Sequence, residues 1–185
     1  MTNDRYFIGN VASWILESEP DPGILWEGNA VEQIHQCPSY DGPSNTAADE
    51  PYTGYNYNTS YIGDGGVGVN LPKPMKVARV TRPSTCALFG DGHFSLGANK
   101  YMRSPWPSDK DFDIGFFQPA LGTQGFRHVR KTNVAYCDGS AHSVEKSYER
   151  TIPGQTVAED CGFLSDTNQA YAPDGEAYSS DYLAL

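Results

Sequence analysis

The pair Asp138-Gly139 and the two runs that flank it constrain the fold more than any other feature of this sequence. Residues 133–137 (Asn-Val-Ala-Tyr-Cys) are mostly apolar, and residues 142–146 (His-Ser-Val-Glu-Lys) follow the pair after a short gap. Asp-Gly between two β-like runs is a strong hairpin signal, because these residues accept the positive φ angles of a type I′ turn. The sequence therefore predicts two adjacent antiparallel strands here, and a fold built around a sheet.

Further strands are predicted on the N-terminal side of this hairpin. Residues 86–90 (Cys-Ala-Leu-Phe-Gly) are typical of a buried strand, which ends at the Asp-Gly pair 91–92, and residues 76–82 alternate apolar and charged side chains. The alternation at 55–58 (Tyr-Asn-Tyr-Asn) suits a short strand with its aromatic rings on one face. Nineteen Gly and thirteen Pro distribute turns through the rest of the chain, so long irregular loops are expected.

One helix is expected, near the N-terminus. Phe7, Val11 and Ile15 recur at helical spacing, and Pro20 ends the pattern. The expected fold class is therefore α+β, with an N-terminal helix packed on an antiparallel β-sheet and long irregular loops between the strands.

The length of 185 residues suits one domain with a single core. Within this domain, residues 1–20 are the expected helical segment and residues 37–146 the sheet core that carries the motifs. Residues 147–185 are expected to form an irregular, acidic C-terminal segment.

The charge and the missing motifs exclude several classes of function. The formal net charge is −10, and an acidic surface without a Lys/Arg stripe repels phosphate backbones, so nucleic acid is not an expected partner. The sequence contains no run of about eighteen apolar residues and no signal peptide. It also lacks G-x-S-x-G, H-E-x-x-H, P-loop and G-x-G-x-x-G motifs, so we expect that the chain is not an enzyme and has no catalytic residue.

Four short segments stand in an order that is typical of one protein family. They are Cys-Pro-Ser at 37–39, the Tyr-Asn repeat at 55–58, and Arg-Pro-Ser-Thr at 82–85 leading into Asp-Gly at 91–92. The fourth is a His that nine residues separate from the Asp-Gly pair 138–139. In this order the segments resemble the prepilin-type, processing-associated H-X9-DG domain of pseudopilin-like proteins. The residues that match its motifs are His128, Asp138, Gly139, Cys37, Pro38, Ser39, Asp91 and Gly92.

The resemblance implies a type IV pilin-like architecture and a non-catalytic, self-assembling subunit of a pilus, a pseudopilus-like filament or a type II secretion-like system. The implied partners are further copies of the chain and other pseudopilins or secretion components. The family opens with a basic leader and a long apolar helix, so membrane contact is expected only through a helix that this chain lacks. The implied location is the bacterial periplasm or cell surface, with inner-membrane anchoring before assembly. The family often continues Asp-Gly with His, whereas Ser140 follows here and His142 comes later.

The four cysteines are widely scattered and include no C-x-x-C pair, which argues against a zinc ribbon. In an exported domain an even number suggests up to two disulfides, and we favour Cys37–Cys161 with Cys86–Cys137. The alternative is buried free thiols that behave as small apolar side chains.

His128 has two interpretations. It either forms a His–carboxylate pair with Asp138, with or without a metal ion, or bonds to a loop carbonyl while Asp138 only shapes the turn. The neighbouring basic side chains of Arg127, Arg130 and Lys131 also have two interpretations. They either contact an acidic patch on a neighbouring subunit or form a solvated basic turn.

A calcium ion is the one cofactor that the sequence suggests. Carboxylates alternate at 109–113 as they do where calcium loops begin, although Ile114 and Ala120 exclude an EF-hand. A looser Ca²⁺ site and a set of solvated surface charges are both open interpretations. The candidate ligands are Asp109, Asp111, Asp113, Asp166 and Asn168.

Two other functions compete with the structural one. Tyr55, Tyr57 and Trp106 could stack on sugar rings, which would make the chain a carbohydrate-binding or adhesive module; packing within a loop is the other interpretation of these rings. A metal-dependent hydrolase is the second alternative, and its centre would need Asp91, His93, Asp138 and His142 to converge.

Overall fold

The computed structural model describes residues 37–40, 54–63, 75–93, 101–106, 122–145, 147–150 and 157–177. These residues form short strands and two single-turn 3₁₀ helices. The strands are β1 (Tyr55–Asn58), β2 (Ala87–Asp91), β3 (Tyr101–Met102), β4 (Gln124–Gly125), β5 (Thr132–Tyr136), β6 (Ala141–Val144) and β7 (Cys161–Gly162). The 3₁₀ helices are Val77–Arg79 and Asn168–Ala170. No helix within these ranges is long and apolar enough to cross a membrane.

The strands form two sheets. The larger has five strands in the order β3-β1-β2-β5-β6, and the smaller pairs β4 with β7. In the larger sheet β1 pairs with β3 in parallel, whereas the other neighbours are antiparallel. An isolated bridge between Gly92 and Gln124 connects the end of β2 to the smaller sheet.

The predicted fold class is wrong. The described residues contain no helix of seven or more residues, and their regular secondary structure consists mainly of strands, so a helix packed on a sheet does not describe this architecture. The sheet is also mixed rather than antiparallel, because β3 joins β1 in parallel. The segment 1–20, on which the helix was predicted, lies outside the described residues.

The strand predicted at 76–82 is also wrong. Val77–Arg79 is a 3₁₀ turn with no buried residue. The backbone N–H groups of Thr81 and Arg82 both donate to the carbonyl of Pro173, at 2.9 and 3.0 Å. The segment is thus held by the C-terminal part of the chain and not by a neighbouring strand, which alternation along a sequence does not reveal.

The predicted hairpin is confirmed, with β5 and β6 in antiparallel register from Thr132 opposite Val144 to Ala135 opposite Ala141. Its turn differs from the predicted type I′. Of the central pair only Gly139 has a positive φ, 85°. Its N–H donates to the Tyr136 carbonyl at 2.9 Å, which is the pattern of a type I turn followed by a glycine bulge.

The core lies on one face of the larger sheet and is covered by the C-terminal residues 161–172. Its apolar members are Tyr61, Ala87, Met102, Val134, Phe163, Leu164, Tyr171 and Ala172. Asn58 ties the layers together, because its amide donates to the carbonyls of Ala87 and Tyr171 at 2.7 and 2.9 Å. Its Oδ1 accepts the N–H of Tyr61 at 3.1 Å. A buried amide in this position satisfies backbone groups that the sheet leaves open.

Candidate functional site

Asp91 forms the floor of the candidate site. It ends β2 and is 1% exposed. Because β2 and β5 are adjacent, its Oδ2 accepts the backbone N–H of Asn133 at 2.7 Å and lies 3.5 Å from the hydroxyl of Thr132. A buried carboxylate requires such donors, since a carboxylate without them would take up a proton and become neutral.

His128 stands above this carboxylate, and Cys37 lies beside both. The Nε2 atom of His128 is 3.2 Å from Asp91 Oδ2 and 3.4 Å from Cys37 Sγ. One candidate ligand atom from each residue lies within 4.8 Å of the others, which makes these side chains a group able to hold a metal ion. Cys37 is 1% exposed, whereas the His128 side chain is 25% exposed.

Arg127 connects the same residues to the surrounding backbone. Its Nε donates to Cys37 Sγ at 3.3 Å, and its Nη2 lies 3.7 Å from Asp91 Oδ1. The remaining donors bond to the carbonyl of Gly92 at 3.1 Å and to that of Gly54. A guanidinium offers several donors in a rigid fork, which allows one side chain to join segments so far apart in sequence.

Two further residues shape the space around this guanidinium. The ring of Tyr40 lies 5.2 Å from the Arg127 guanidinium carbon, and the Tyr40 N–H closes a tight turn onto the Cys37 carbonyl at 2.9 Å. Gly125 leaves room on the other side, because a Cβ there would collide with Arg127 Nη1. The segment 37–40 therefore caps Arg127 through both a thiol and an aromatic ring.

A strained turn presents His128 to the cluster. His128 and Lys131 exchange backbone hydrogen bonds of 3.0 and 3.1 Å around Val129 and Arg130, whose φ angles are 55° and 62°. Positive φ is unfavourable for a β-branched residue, and this two-residue turn prefers Asn-Gly. Strain of this kind often marks a functional position.

The charges of the cluster act on its neighbours. Burial raises the pKa of Tyr55, and the negative charges of Cys37 and Asp91 raise it further. Burial and the nearby charge of Arg127 lower the pKa of His93, which keeps its imidazole neutral at pH 7.

The structure separates two residues that the motif had joined. His128 contacts Asp91 and not Asp138, so of the two interpretations the one that pairs His128 with Asp138 is wrong. Asp138 lies in the exposed hairpin turn, where its carboxylate accepts the N–H and the hydroxyl of Ser140. That bonding lowers the pKa of Asp138. His128 and Asp138 lie in the turns before and after β5, so the motif spacing places them at opposite ends of one strand.

The three basic residues next to His128 lie in different environments. Arg127 points inward, which neither interpretation of the sequence anticipated, whereas Arg130 is exposed. Lys131 pairs at 2.5 Å with Glu145, which directly follows β6. Gly125, two residues before Arg127, was the local signal of the inward approach, because a missing Cβ often marks close contact with a side chain.

The other motif residues surround the cluster without contributing side-chain ligands to it. Pro38 and Ser39 lie exposed in the turn that follows Cys37. The N–H of Gly92 donates to the Gly54 carbonyl at 2.9 Å. Of the proposed hydrolase set, the described metal-ligating group contains Asp91 but not His93, Asp138 or His142.

The calcium candidates do not form one site among the described residues. Asp109, Asp111 and Asp113 lie outside them. Asp166 is exposed, whereas Asn168 is buried. The amide of Asn168 donates to Tyr61 Oη at 2.8 Å and to the Trp106 carbonyl at 2.6 Å, and its Oδ1 accepts the Trp106 N–H at 3.0 Å. The amide of Asn168 is thus committed to internal hydrogen bonds.

All four cysteines are free thiols in this structure. Cys86 and Cys137 nevertheless lie side by side, with a 3.0 Å backbone bond from Cys137 N–H to the Cys86 carbonyl. A thiol–thiol hydrogen bond lowers the pKa of Cys137 and raises that of Cys86. Burial raises the pKa of Cys161 to about 12, while Cys37 contacts His128 and Arg127. The two disulfide pairings stay predictions.

The aromatic candidates fall into two places. Tyr55 is 40% exposed and Phe89 44%, and the ring of Tyr57 lies 5.1 Å from that of Phe89, on the sheet face opposite the core. The ring of Trp106 instead packs under Arg150, 4.2 Å from its guanidinium carbon. Its indole N–H donates to the Asp166 carbonyl at 2.7 Å.

Comparison with known proteins adds one short similarity. No protein-family model matches the chain, and no solved structure does. The energy-dependent translational throttle protein EttA of Escherichia coli (strain K12) is 53% identical over 36 residues, which are 20% of this chain. EttA of Haemophilus influenzae has the same identity over the same length. The chain spans only 6% of the length of these relatives, so the similarity assigns neither a family nor an activity.

Proposed function

We propose that this chain is a non-catalytic structural subunit of a pilus or pseudopilus-like assembly, as its resemblance implies. One observation carries the proposal: motif residues from three separate segments meet in one buried cluster. Cys37 and His128 are 91 residues apart in sequence and their side chains are 3.4 Å apart. Asp91, from the Asp-Gly segment, completes the cluster. If these motifs share a role in packing the domain together, their occurrence at separate places along the chain is explained.

The geometry of the cluster supports a structural role over nucleophilic catalysis. In a nucleophile–His–carboxylate triad, one ring nitrogen takes the proton of the nucleophile while the other bonds to the carboxylate. Here the single atom Nε2 of His128 faces both Cys37 Sγ and Asp91 Oδ2. Cys37 is also only 1% exposed, which limits the access of a substrate to its sulfur.

Assembly needs a surface, and the outer face of the sheet offers one. Tyr55, Tyr57 and Phe89 form an aromatic patch there, which we call the aromatic face. Aromatic side chains are enriched at protein interfaces, because they bury a large area at a small entropic cost. Copies of the chain would pack through this face in the proposed filament.

The test combines a sedimentation series with negative-stain electron microscopy. We expect ordered oligomers whose size grows with concentration, and we expect Phe89→Ser to weaken them. Val77→Ser is the matched control, since Val77 is also exposed but lies on the 3₁₀ turn away from the aromatic face. A chain that stays monomeric at every concentration, with Phe89→Ser indistinguishable from the parent, would refute the proposal.

The second candidate function is carbohydrate binding or adhesion, and the same aromatic face favours it. Exposed rings that are held by neighbouring rings can stack on sugars. This function predicts saturable glycan binding that Tyr55→Ala or Tyr57→Ala abolishes. Trp106→Ala should leave that binding unchanged, because its ring packs under Arg150. A glycan screen without a saturable ligand would remove this candidate.

A further inference from the structure

The donor chemistry of the cluster suits a transition-metal ion. Cys37 supplies a thiol, His128 an imidazole nitrogen and Asp91 a carboxylate oxygen, all within 4.8 Å of one another. Thiolate and imidazole favour zinc and similar ions, whereas calcium and magnesium take oxygen ligands. The donor set therefore differs in kind from the calcium ligands that the sequence suggests.

Two of the three distances between the ligand atoms agree with one ion held at tetrahedral angles. Zinc bonds to sulfur at about 2.3 Å, to imidazole nitrogen at about 2.0–2.1 Å and to carboxylate oxygen at about 2.0–2.2 Å. Tetrahedral angles then separate nitrogen and oxygen ligands by about 3.3 Å, and sulfur and nitrogen ligands by about 3.6 Å. His128 Nε2 lies 3.2 Å from Asp91 Oδ2 and 3.4 Å from Cys37 Sγ.

We propose that Cys37, Asp91 and His128 bind one divalent transition ion of the zinc class. The ion joins the turn at 37–40, the end of β2 and the turn at 128–131 that carries His128. The partial exposure of His128 leaves the fourth position open toward solvent. Catalytic zinc sites use three protein ligands and a water molecule, and here the same ligand set would join three segments of the fold.

The outer contacts of the ligands match this role. The groups that surround a metal site usually orient its ligands by hydrogen bonds. Asn133 N–H holds Asp91 Oδ2, and Arg127 Nε donates to Cys37 Sγ. The two ligand anions, a thiolate and a carboxylate, offset the charge of the ion, and the guanidinium of Arg127, 3.7 Å from Asp91 Oδ1, adds one positive charge beside them. Arg127 directs its other donors to the carbonyls of Gly92 and Gly54, so it lies outside the ligand set.

Titration of the reduced, chelator-treated chain with Zn²⁺ and Co²⁺ tests the proposal. We expect one ion per chain, a rise in Tm with Zn²⁺, and a cobalt spectrum with intense tetrahedral bands and a thiolate charge-transfer band. Ca²⁺ should leave Tm unchanged. A cobalt spectrum without the thiolate band, or no binding at all, would overturn the proposal and leave a hydrogen-bonded cluster. These measurements use the unmodified chain, so their result does not depend on whether a variant folds.

Two variants assign the site to its residues. Cys37→Ser should remove the charge-transfer band and weaken Zn²⁺ binding by about 100-fold or more. Cys161→Ser is the matched control, because it removes another buried thiol that lies outside the cluster. Equal Zn²⁺ affinity in both variants would contradict the assignment. Metal binding is measured on the single chain, so its outcome is independent of filament assembly.

Discussion

Replacing the strained turn Val129-Arg130 by Asn-Gly should stabilise the protein. The two residues have φ angles of 55° and 62°, in the left-handed region. That region is unfavourable by about 1–2 kcal/mol for each L residue with a side chain. The side chain of Val129 is 91% exposed, so its removal sacrifices no core packing.

The expected gain follows from these terms. The strain at both positions is about 2–4 kcal/mol, of which about 2–3 kcal/mol is relieved because Asn keeps a side chain; the flexibility that Gly adds to the unfolded chain offsets about 1 kcal/mol of this relief. Val129→Asn with Arg130→Gly should therefore raise the free energy of unfolding by about 1–2 kcal/mol. For a chain of 185 residues this corresponds to a Tm increase of about 3–6 °C, measurable by calorimetry.

The turn of the β5–β6 hairpin provides the control. Gly139 has φ of 85°, and a Cβ added there meets nothing within 4 Å. Gly139→Ala should lower the free energy of unfolding by about 1 kcal/mol through backbone strain alone. An unchanged or lower Tm in the Asn-Gly variant, together with this loss at Gly139, would refute the argument that Val129 and Arg130 are strained.

Two further predictions concern buried groups. Asn58→Ala should lower the free energy of unfolding by about 3 kcal/mol in urea denaturation, because the buried carbonyls of Ala87 and Tyr171 lose their donor; unchanged stability would contradict this. Alkylation near pH 8 followed by peptide mapping should label Cys137 before Cys161, since thiolate is the reactive form and the pKa of Cys137 is lowered while that of Cys161 is about 12. Raising the pH should increase Cys137 labelling first, and labelling of Cys161 ahead of Cys137 would contradict the assigned shifts.

Local features of the fold were predictable from the sequence. The strand predicted at 86–90 is observed as Ala87–Asp91, and the alternation at 55–58 is observed as Tyr55–Asn58. The hairpin after Tyr136 was predictable because its turn residues and flanking strands are adjacent in the chain. Such patterns depend on the backbone preferences of a few consecutive residues.

Long-range pairing was not predictable. β3 pairs with β1 in parallel, and the N–H groups of Thr81 and Arg82 bond to the Pro173 carbonyl. Nothing in the sequence of one segment in these pairs indicates the other segment as its partner. The error at 76–82 has this origin, because the segment alternates like a strand and has no strand beside it. Strand identity is local, whereas strand partnership depends on where the chain returns.

The candidate site shows the same division. The resemblance to the H-X9-DG family singled out Cys37, Asp91 and His128 as motif residues before the structure was known. Only the tertiary structure decided that His128 meets Asp91 rather than Asp138, and that Arg127 points inward to join them. The sequence by itself determined the strands β1, β2, β5 and β6 and the position of the turn at Asp138-Gly139, since these depend on consecutive residues. The cluster depends on the tertiary structure, because its members become neighbours only when β2, the turn at 128–131 and the turn at 37–40 pack together.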